Sequence, residues 1–376
     1  MVILFLPAGS QDQIGQKLDN QAKVNQIFRK VVRNRNFKAI ETPVIEYANT
    51  FTNEHVGMEL RTMLKWFNRE GEIEVLRPDW TTAIARALVK QHPAQLKWFY
   101  QGSVFRNDKD GTESRQAGIE IIRTDVFLGE LESLFTAVTY LKALNSDDYL
   151  IELGHTGIFE ALLETLELAD SEEETLRQAM YDKRKDLVYQ IASKTGQEKI
   201  AEQLTTLINA YGGKEILTEY RELWSNQPQL VEILDHLNKL IDAMEALGVE
   251  NVIVDLGKVK ELPYYSGTMF RGYLQQNGQT CFSGGCYDKL YEQFNENISA
   301  VGLAFDVDVL AESMNATEQK ERICILATEE THVQAEQLRE DFEDKIVDIQ
   351  YQLPDNHHYD RIIPVEDATK EKAVDK

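Results

Sequence analysis

The sequence predicts an α+β fold: a sheet flanked by helices, interrupted by a helical insertion and followed by a small α/β unit. Three observations carry this. Short segments rich in β-branched and aromatic residues, bounded by turn residues, recur between positions 37 and 155 and again between 252 and 283. Between these blocks, residues 157–247 show leucines every three or four positions and no strand signal, which is the spacing of amphipathic helices. Beyond residue 313, a strand, a helix and a second strand follow in quick succession. The expected boundaries are 1–156 with 248–312 for the main domain, 157–247 for the insertion and 313–376 for the C-terminal unit.

Each element has a local reason. After a turn at Pro7-Ala8-Gly9-Ser10, Leu18, Val24, Ile27, Phe28, Val31 and Val32 fall on one helical stripe within residues 14–32. Residues 37–46 read as one strand, with Pro43 tolerated at an edge or interface. A strand at 72–76 runs through Arg77-Pro78-Asp79-Trp80-Thr81 into a helix at 82–90. Residues 97–105 and 116–122 form two antiparallel strands joined by a polar loop; a helix at 130–144 and a strand at 149–153 follow. In the insertion, Ser171-Glu172-Glu173-Glu174 has the pattern of a capping box, and Gly212-Gly213 breaks two helices. Strands return at 252–256, 268–274 and 280–283. The C-terminal unit has a strand at 323–326, a helix at 331–342 and a strand at 346–349, and the last dozen residues, charged and poor in apolar side chains, are expected to fray.

Composition narrows the function. The 376 residues are 43% hydrophobic, enough for a sizeable core, and carry a formal net charge of -23. Such an acidic balance opposes broad binding to nucleic acid, which relies on clustered Lys and Arg, although it leaves room for a local basic patch. No apolar run approaches the roughly 20 residues of a membrane-spanning helix. Residues 1–7 lack a basic leader and a small-residue cleavage site and read as mature sequence. Cys281, Cys286 and Cys324 form no metal-ligand array; buried free thiols and a cytoplasmic location are expected, with Cys281 and Cys286 on adjoining strand and turn.

Several short stretches, taken together and in order, resemble class II aminoacyl-tRNA synthetases. The proline-containing strand after a long helix is similar to their dimer-forming first motif. Phe105-Arg106-Asn107-Asp108 and Gln116-Ala117-Gly118-Ile119-Glu120 are similar to the two arms of the second. The histidyl branch is the nearest in character, through Arg77-Pro78-Asp79-Trp80-Thr81, Glu261-Leu262-Pro263-Tyr264-Tyr265-Ser266-Gly267 and Gly284-Gly285-Cys286-Tyr287-Asp288. Within that branch, Arg-Pro-Asp-x-Thr and Leu-Pro-Tyr-Tyr resemble a non-synthetase group, the regulatory subunits of short-form ATP phosphoribosyltransferase. The resemblance spans roughly residues 1–155 and 250–310. It implies a class II synthetase-like antiparallel sheet, a homodimer through the first-motif region, a catalytic ATP phosphoribosyltransferase subunit as partner within a hetero-oligomer, histidine as allosteric ligand, and no cofactor, metal, membrane or nucleic acid.

The resemblance also implies a histidine pocket, and its residue types suit that ligand. Histidine offers an ammonium, a carboxylate and a neutral imidazole with one donor and one acceptor. Asp79, Thr81 and Gln116 supply acceptors for the ammonium, Glu120 accepts from the ring N–H, and Tyr265 donates to the other ring nitrogen while Tyr264 packs on the ring. Gln116 and Glu120 are four apart on a strand and share a face. Lys260, where the synthetases carry arginine, would take the carboxylate as a point charge rather than a fork, and Asp79 is one methylene shorter than the family's Glu. Taken singly, these residues have simpler readings. Glu120 suits a solvated face, Tyr264 and Tyr265 suit strand packing, Asp79 and Thr81 suit a helix cap, His155 suits a turn or cap, and Gly284-Gly285 suit a tight turn or bulge.

Three departures from the synthetase pattern bear on catalysis. Arg106 stands where the α-phosphate of ATP would be gripped, but Val309 fills the slot of the second phosphate-binding arginine. The loop between Arg106 and Gln116, containing Asn107, Asp108, Lys109, Asp110, Glu113 and Arg115, is short and acidic where a basic cover is needed. Cys286 replaces another family arginine. Losing one preorganised donor to a developing charge typically costs about 10²–10³ in rate. No catalytic residue is therefore assigned, and Arg106 is expected to hold the histidine carboxylate or a buried acid. The competing reading is an active histidyl-tRNA synthetase or another class II amino-acid ligase, both of which need that phosphate chemistry.

Overall fold

The computed structural model describes residues 5–7, 9–91, 93–108, 111–260, 262–314 and 320–365. The chain divides into two compact units, Met1–Met314 and Asn315–Lys376. The first opens with α1 (Gln16–Asn34), which buries Val24, Phe28, Val31 and Val32 at helical spacing. There follow β1 (Lys38–Ala39), β2 (Ile45–Tyr47), the one-turn α2 (Asn49–Thr52), β3 (Lys65–Phe67), β4 (Ile73–Leu76) and α3 (Thr81–Gln91). A long hairpin, β5 (Lys97–Asp108) and β6 (Gly111–Ile122), leads through α4 (Val126–Ala143) to β7 (Tyr149–His155). Between β7 and the next long strand, where the helical insertion was expected, come α5 (Thr156–Leu163), α6 (Asp170–Tyr181), α7 (Lys185–Ser193), α8 (Glu198–Leu207), the two-residue β8 (Tyr211–Gly212), α9 (Glu215–Leu223) and α10 (Pro228–Glu245). The unit closes with β9 (Val252–Asp255), β10 (Thr268–Leu274), β11 (Thr280–Cys286), α11 (Lys289–Glu292), β12 (Ala300–Asp306) and α12 (Val307–Ser313).

Among the described residues these strands make a nine-stranded sheet ordered β1-β5-β6-β12-β11-β10-β7-β9-β8, beside a small sheet ordered β2-β4-β3. The large sheet is antiparallel from β5 through β7, and parallel only where β1 joins β5 and β9 joins β7. The period-2 alternation of strands divides the core. Ala117, Ile119 and Ile121 of β6 and Val301, Leu303 and Phe305 of β12 belong to the main apolar cluster with α1 and α4. There Phe28, Tyr140 and Phe305 meet edge to face, and the Tyr140 hydroxyl donates to the Val24 carbonyl at 3.0 Å. Ile122 and Ala300, of the opposite parity, join a second cluster with Trp80, Tyr100, Tyr264, Tyr287 and Tyr291. That aromatic face carries the candidate site.

The second unit holds β13 (Arg322–Leu326), α13 (His332–Glu340), β14 (Ile346–Gln350) and β15 (Arg361–Pro364). Its three strands are all parallel in the order β14-β13-β15, around Ile323, Ile325, Ala327 and Ala335. The third strand was not expected from the sequence. Of the last dozen residues, expected to fray, Val365 is held by a 2.9 Å hydrogen bond from its N–H to the Leu326 carbonyl, and residues 366–376 lie outside the described residues, as do residues 1–4 of the N-terminal stretch.

Four local expectations are corrected. The strand expected over 37–46 is two strands in different sheets, because Pro43 has no N–H to continue a ladder. Before it, β1 pairs with β5; after it, β2 pairs with β4. The polar loop between residues 105 and 116 is mostly strand: Ser103 pairs with Arg115 and Phe105 with Glu113, since ladder bonds do not require apolar side chains. The expected capping box lies inside α6, whose N-cap is Ala169 with no side-chain cap; Asp170, Glu172 and Glu173 supply negative charge to the first turn instead. Finally, Gly284, Gly285 and Cys286 are strand residues of β11, not a turn. A Cβ on Gly284 would come within 2.2 Å of the Gly302 carbonyl oxygen, so glycine permits the close approach of β12.

Candidate functional site

On the aromatic face of the sheet a cavity of about 150 Å³ is lined by side chains from β5, β6, β11, β12, the start of α3 and the segment before β10. It is smaller than the roughly 300–1,000 Å³ of sites that take drug-sized ligands. The stretch from Arg77 to Thr81 is fixed from behind. The Arg77 guanidinium donates to the Thr42 and Ser103 carbonyls at 2.9 Å each and lies 3.5 Å over the Trp80 ring, which itself stacks on Tyr100. Asp79, nearly buried, accepts from the Thr82 backbone N–H at 2.7 Å and so caps α3 while lining the cavity. Arg106 Nε donates to the Pro78 carbonyl at 2.7 Å, which aligns the side chain across the mouth of the same segment.

The sequence-predicted residues Asp79, Thr81, Arg106, Gln116, Tyr264 and Tyr265 all line this one cavity. Glu120 does not: it lies beneath the floor, fully buried, where its carboxylate accepts from the Thr81 hydroxyl at 2.8 Å and the Tyr287 hydroxyl at 2.5 Å. The reading of Glu120 as a solvated surface carboxylate is therefore excluded. Gly302 makes the space, since a Cβ there would sit 2.1 Å from Glu120 Oε2. Burial pushes the Glu120 carboxyl up to about 8, against the pull of the Tyr287 and Thr81 hydrogen bonds and with help from the nearby Asp79 charge.

Lys260 is the second of the expected site residues that does not line this cavity. It pairs with Glu160 at 3.2 Å and lines a different, larger cavity, because a half-buried ammonium takes the carboxylate that α5 offers it. Glu261, in the same motif, lies outside the described residues. Conversely, sequence reasoning assigned no role to Tyr100 or Tyr287, both buried and both in the cavity wall. Tyr287 directly follows the Gly284-Gly285-Cys286 stretch, and that adjacency was the available signal.

Two further features concern the synthetase-like positions. Val309 lies in the first turn of α12, where its backbone N–H donates to the capping Asp306 carboxylate at 2.9 Å. It lines a separate cavity of about 510 Å³ with Glu113, Asp306, Asp308 and Glu312, among others. The cations there are already engaged: Lys17 with Glu312, and Arg115 with Asp308. Cys286, on the other hand, is buried with its Sγ 3.1 Å from Glu130 Oε1, while Glu130 Oε2 meets His236 Nε2 of α10 at 2.6 Å. Burial, with the Glu130 charge, pushes that thiol well up, so it is not a reactive thiolate. His155 acts as the N-cap of α5, accepting from the Gly157 N–H at 3.0 Å, and burial beside His236 pushes it down to about 4. Among the described residues no cluster of three or more His, Cys, Asp or Glu could hold a metal ion, and no helix is long and apolar enough to cross a membrane.

Comparison with known proteins bears on what this arrangement is. The histidyl-tRNA synthetase family model matches residues 9–310. The ATP phosphoribosyltransferase regulatory subunit of Clostridium acetobutylicum is 31% identical over 322 residues, covering 83% of this chain and 79% of that protein. The chain belongs to the histidyl-tRNA synthetase-like family of ATP phosphoribosyltransferase regulatory subunits. The protein of the same description from Clostridium botulinum is 32% identical over 317 residues, 81% of this chain and 74% of that one. Among solved structures, an ATP phosphoribosyltransferase regulatory subunit/histidyl-tRNA synthetase from Bacillus halodurans superposes with a TM-score of 0.83 at 24% identity, over 97% of this chain and 98% of the other. Histidyl-tRNA synthetase from Nostoc follows with a TM-score of 0.78 at 15% identity, over 94% and 87%. These two likenesses establish the class II synthetase fold of a family member whose cavity holds one acid, one guanidinium and a tyrosine wall.

Proposed function

We propose that this chain is a non-catalytic, cytoplasmic subunit that binds free histidine in the cavity beside Arg106 and relays its occupancy to a catalytic ATP phosphoribosyltransferase subunit. The observation that carries the reading is the cavity's pairing of opposite charges across an aromatic wall. Asp79, with Gln116, suits an α-ammonium; Arg106 suits an α-carboxylate; Tyr264, Tyr265 and Tyr287 form the wall against which an imidazole packs. Thr81 and Tyr287 link that wall to Glu120, which serves as the acid behind the ring rather than as an open surface group. The hydroxyl oxygens of this pair, whose hydrogens already go to Glu120, can accept from a ring N–H, and an apolar side chain has no such donor to offer.

The absence of adenylation is part of the same proposal. A polyphosphate placed near Val309 would face Glu113, Asp306, Asp308 and Glu312, with Lys17 and Arg115 committed to two of those acids. Homodimerisation through the first-motif region is supported by one face of the small sheet, where Ile45, Tyr47 and Trp66 are exposed. In the resulting hetero-oligomer, histidine would favour one state of the assembly over another, and couplings of about 1–3 kcal/mol are typical of such linkage.

The test is reconstitution. Purified chain added to a short-form ATP phosphoribosyltransferase catalytic subunit is expected to raise its turnover and make it sensitive to histidine. Unchanged turnover at saturating chain, or histidyl-adenylate made by the isolated chain, would overturn the proposal, and the latter would favour the synthetase reading.

A further inference from the structure

A cavity of about 530 Å³, separate from the candidate histidine site, lies between the helical insertion and the segment leading into β10. Glu174, Arg177, Gln178 and Tyr181 of α6 form one side, and Lys260, Leu262 and Pro263 form the other. Gly57 closes one end: it has φ +68°, and a Cβ there would meet Pro263 at 2.8 Å, so glycine is what lets the two loops touch. The size falls within the roughly 300–1,000 Å³ of sites that take drug-sized ligands.

Its chemistry is unusual for a chain with a formal net charge of -23. Arg177 Nη1 and Lys260 Nζ converge on the same oxygen, Glu160 Oε1, at 2.7 and 3.2 Å. Both cationic side chains are only 15% exposed, and the Arg177 guanidinium also lies over the Phe159 ring at 5.1 Å. Glu174 approaches Arg177 only at 3.8 Å and is 75% exposed, so water screens most of its charge. Among the described residues, the little-exposed charges here are therefore two cations of the wall against the one carboxylate of Glu160 that they share. A planar fork and a point charge, brought from α6 and from the β10 approach to within hydrogen-bond reach of one oxygen position, is the donor pattern that grips an oxyanion. Burial alone would raise the Glu160 carboxyl, yet Arg177 and then Lys260 bring it below its ordinary value, so Glu160 is held as the anion.

We propose that this cavity is a second ligand site, for a small metabolite bearing a multiply charged oxyanion, anchored by Arg177 and Lys260. Glu160 acts there as an internal competitor: its carboxylate holds the two cations in register and yields when an external anion takes its place. Because α6 belongs to the insertion and Lys260 to the segment that also carries Leu262 of the histidine-site wall, such a ligand would tie the two together. The site stands independently of the histidine proposal.

The experiment is calorimetric titration of the full-length chain with pyrophosphate and, separately, malonate, at constant ionic strength set by chloride. Saturable binding of either probe supports the site, and which of the two binds assigns phosphate or carboxylate as the preferred group. Glu160→Gln is expected to tighten binding by about tenfold, equivalent to about 1.4 kcal/mol, because two cations lose their built-in partner. Arg177→Gln and Lys260→Gln are each expected to weaken it by about tenfold or more. Since Arg177 also packs on Phe159, Lys260→Gln carries the test if the arginine variant fails to give a wild-type circular dichroism spectrum. No saturable binding of either probe to both wild type and Glu160→Gln would overturn the proposal, as would binding that Lys260→Gln leaves unchanged. Histidine titrated into the same variants reads the other cavity, so loss of one site is told apart from loss of the other.

Discussion

The two cavities nearest the synthetase-like motifs differ in one physical respect, the balance of uncommitted charge. Beside Arg106, an acid and a guanidinium stand with four tyrosines, a set that matches a zwitterion with an aromatic ring. Beside Val309, acids predominate and the cations are already paired within the protein. Both are built in part on the same strands, β6 and β12. One fold thus places a cavity suited to a zwitterion beside one lined mainly by acids, and the side chains, not the strands, make that difference.

The most severe way to break the first cavity is to fill the space beneath it. Gly302→Val would drive a side chain into Glu120, which a Cβ already approaches at 2.1 Å. Overpacking of this kind costs about 1–3 kcal/mol. The expected outcome is a lower melting temperature together with histidine binding below detection by calorimetry. A smaller loss is expected from Glu120→Ala, which leaves the Thr81 and Tyr287 hydroxyls without their acceptor. At about 1–3 kcal/mol for unmade buried hydrogen bonds, histidine affinity should fall roughly 10- to 100-fold, and retention of wild-type affinity would remove Glu120 from the site. Arg106→Gln keeps the shape but removes the charge that suits a carboxylate. A weakening of about tenfold is expected for histidine and much less for histamine, which has no carboxylate.

Proton linkage sharpens the same contrast more gently. Glu120 has its folded-state value raised from 4.5 to about 8, so protonation favours the folded chain. Its contribution to stability is full below 4.5 and is lost as pH rises through about 8, with a slope approaching 1.4 kcal/mol per pH unit between them. Denaturant melts across that window should flatten in Glu120→Gln. If a ligand ring N–H favours the ionised acid, histidine binding at pH 7 releases a proton, seen as a binding enthalpy that varies with the ionisation enthalpy of the buffer. The smallest effect is expected at the second cavity: Val309→Arg places one arginine among acids and should give no ATP–pyrophosphate exchange. Exchange appearing in that variant would show that a single side chain separates the two regions, and the comparison would collapse.

How far the sequence could be read depended on whether a property was local. The α1 stripe, the β6 alternation that puts Gln116 and Glu120 on one face, and the β10 strand were visible because helix and strand periodicities are short-range. The break at Pro43 was half visible: proline announced an edge, but only the positions of β5 and β4 decided that the chain would leave one sheet and enter another. Lys260 was misread because its partner, Glu160, lies a hundred residues away on α5, and an ion pair between distant elements leaves no spacing signal.

What the sequence by itself determined was most of the helices and the longer strands, the α+β class, the order of motifs that marks the family, and the acidity that surrounds Val309. Only the tertiary structure decided that Glu120 lies under the floor rather than facing the ligand, that Tyr100 and Tyr287 complete the wall, and that Lys260 and Arg177 share one carboxylate oxygen. The physical reason is range. Backbone geometry and side-chain period act over a few residues, whereas burial, charge pairing and the room left by a missing Cβ at Gly302 exist only once β6, β11, β12 and the insertion have been brought together.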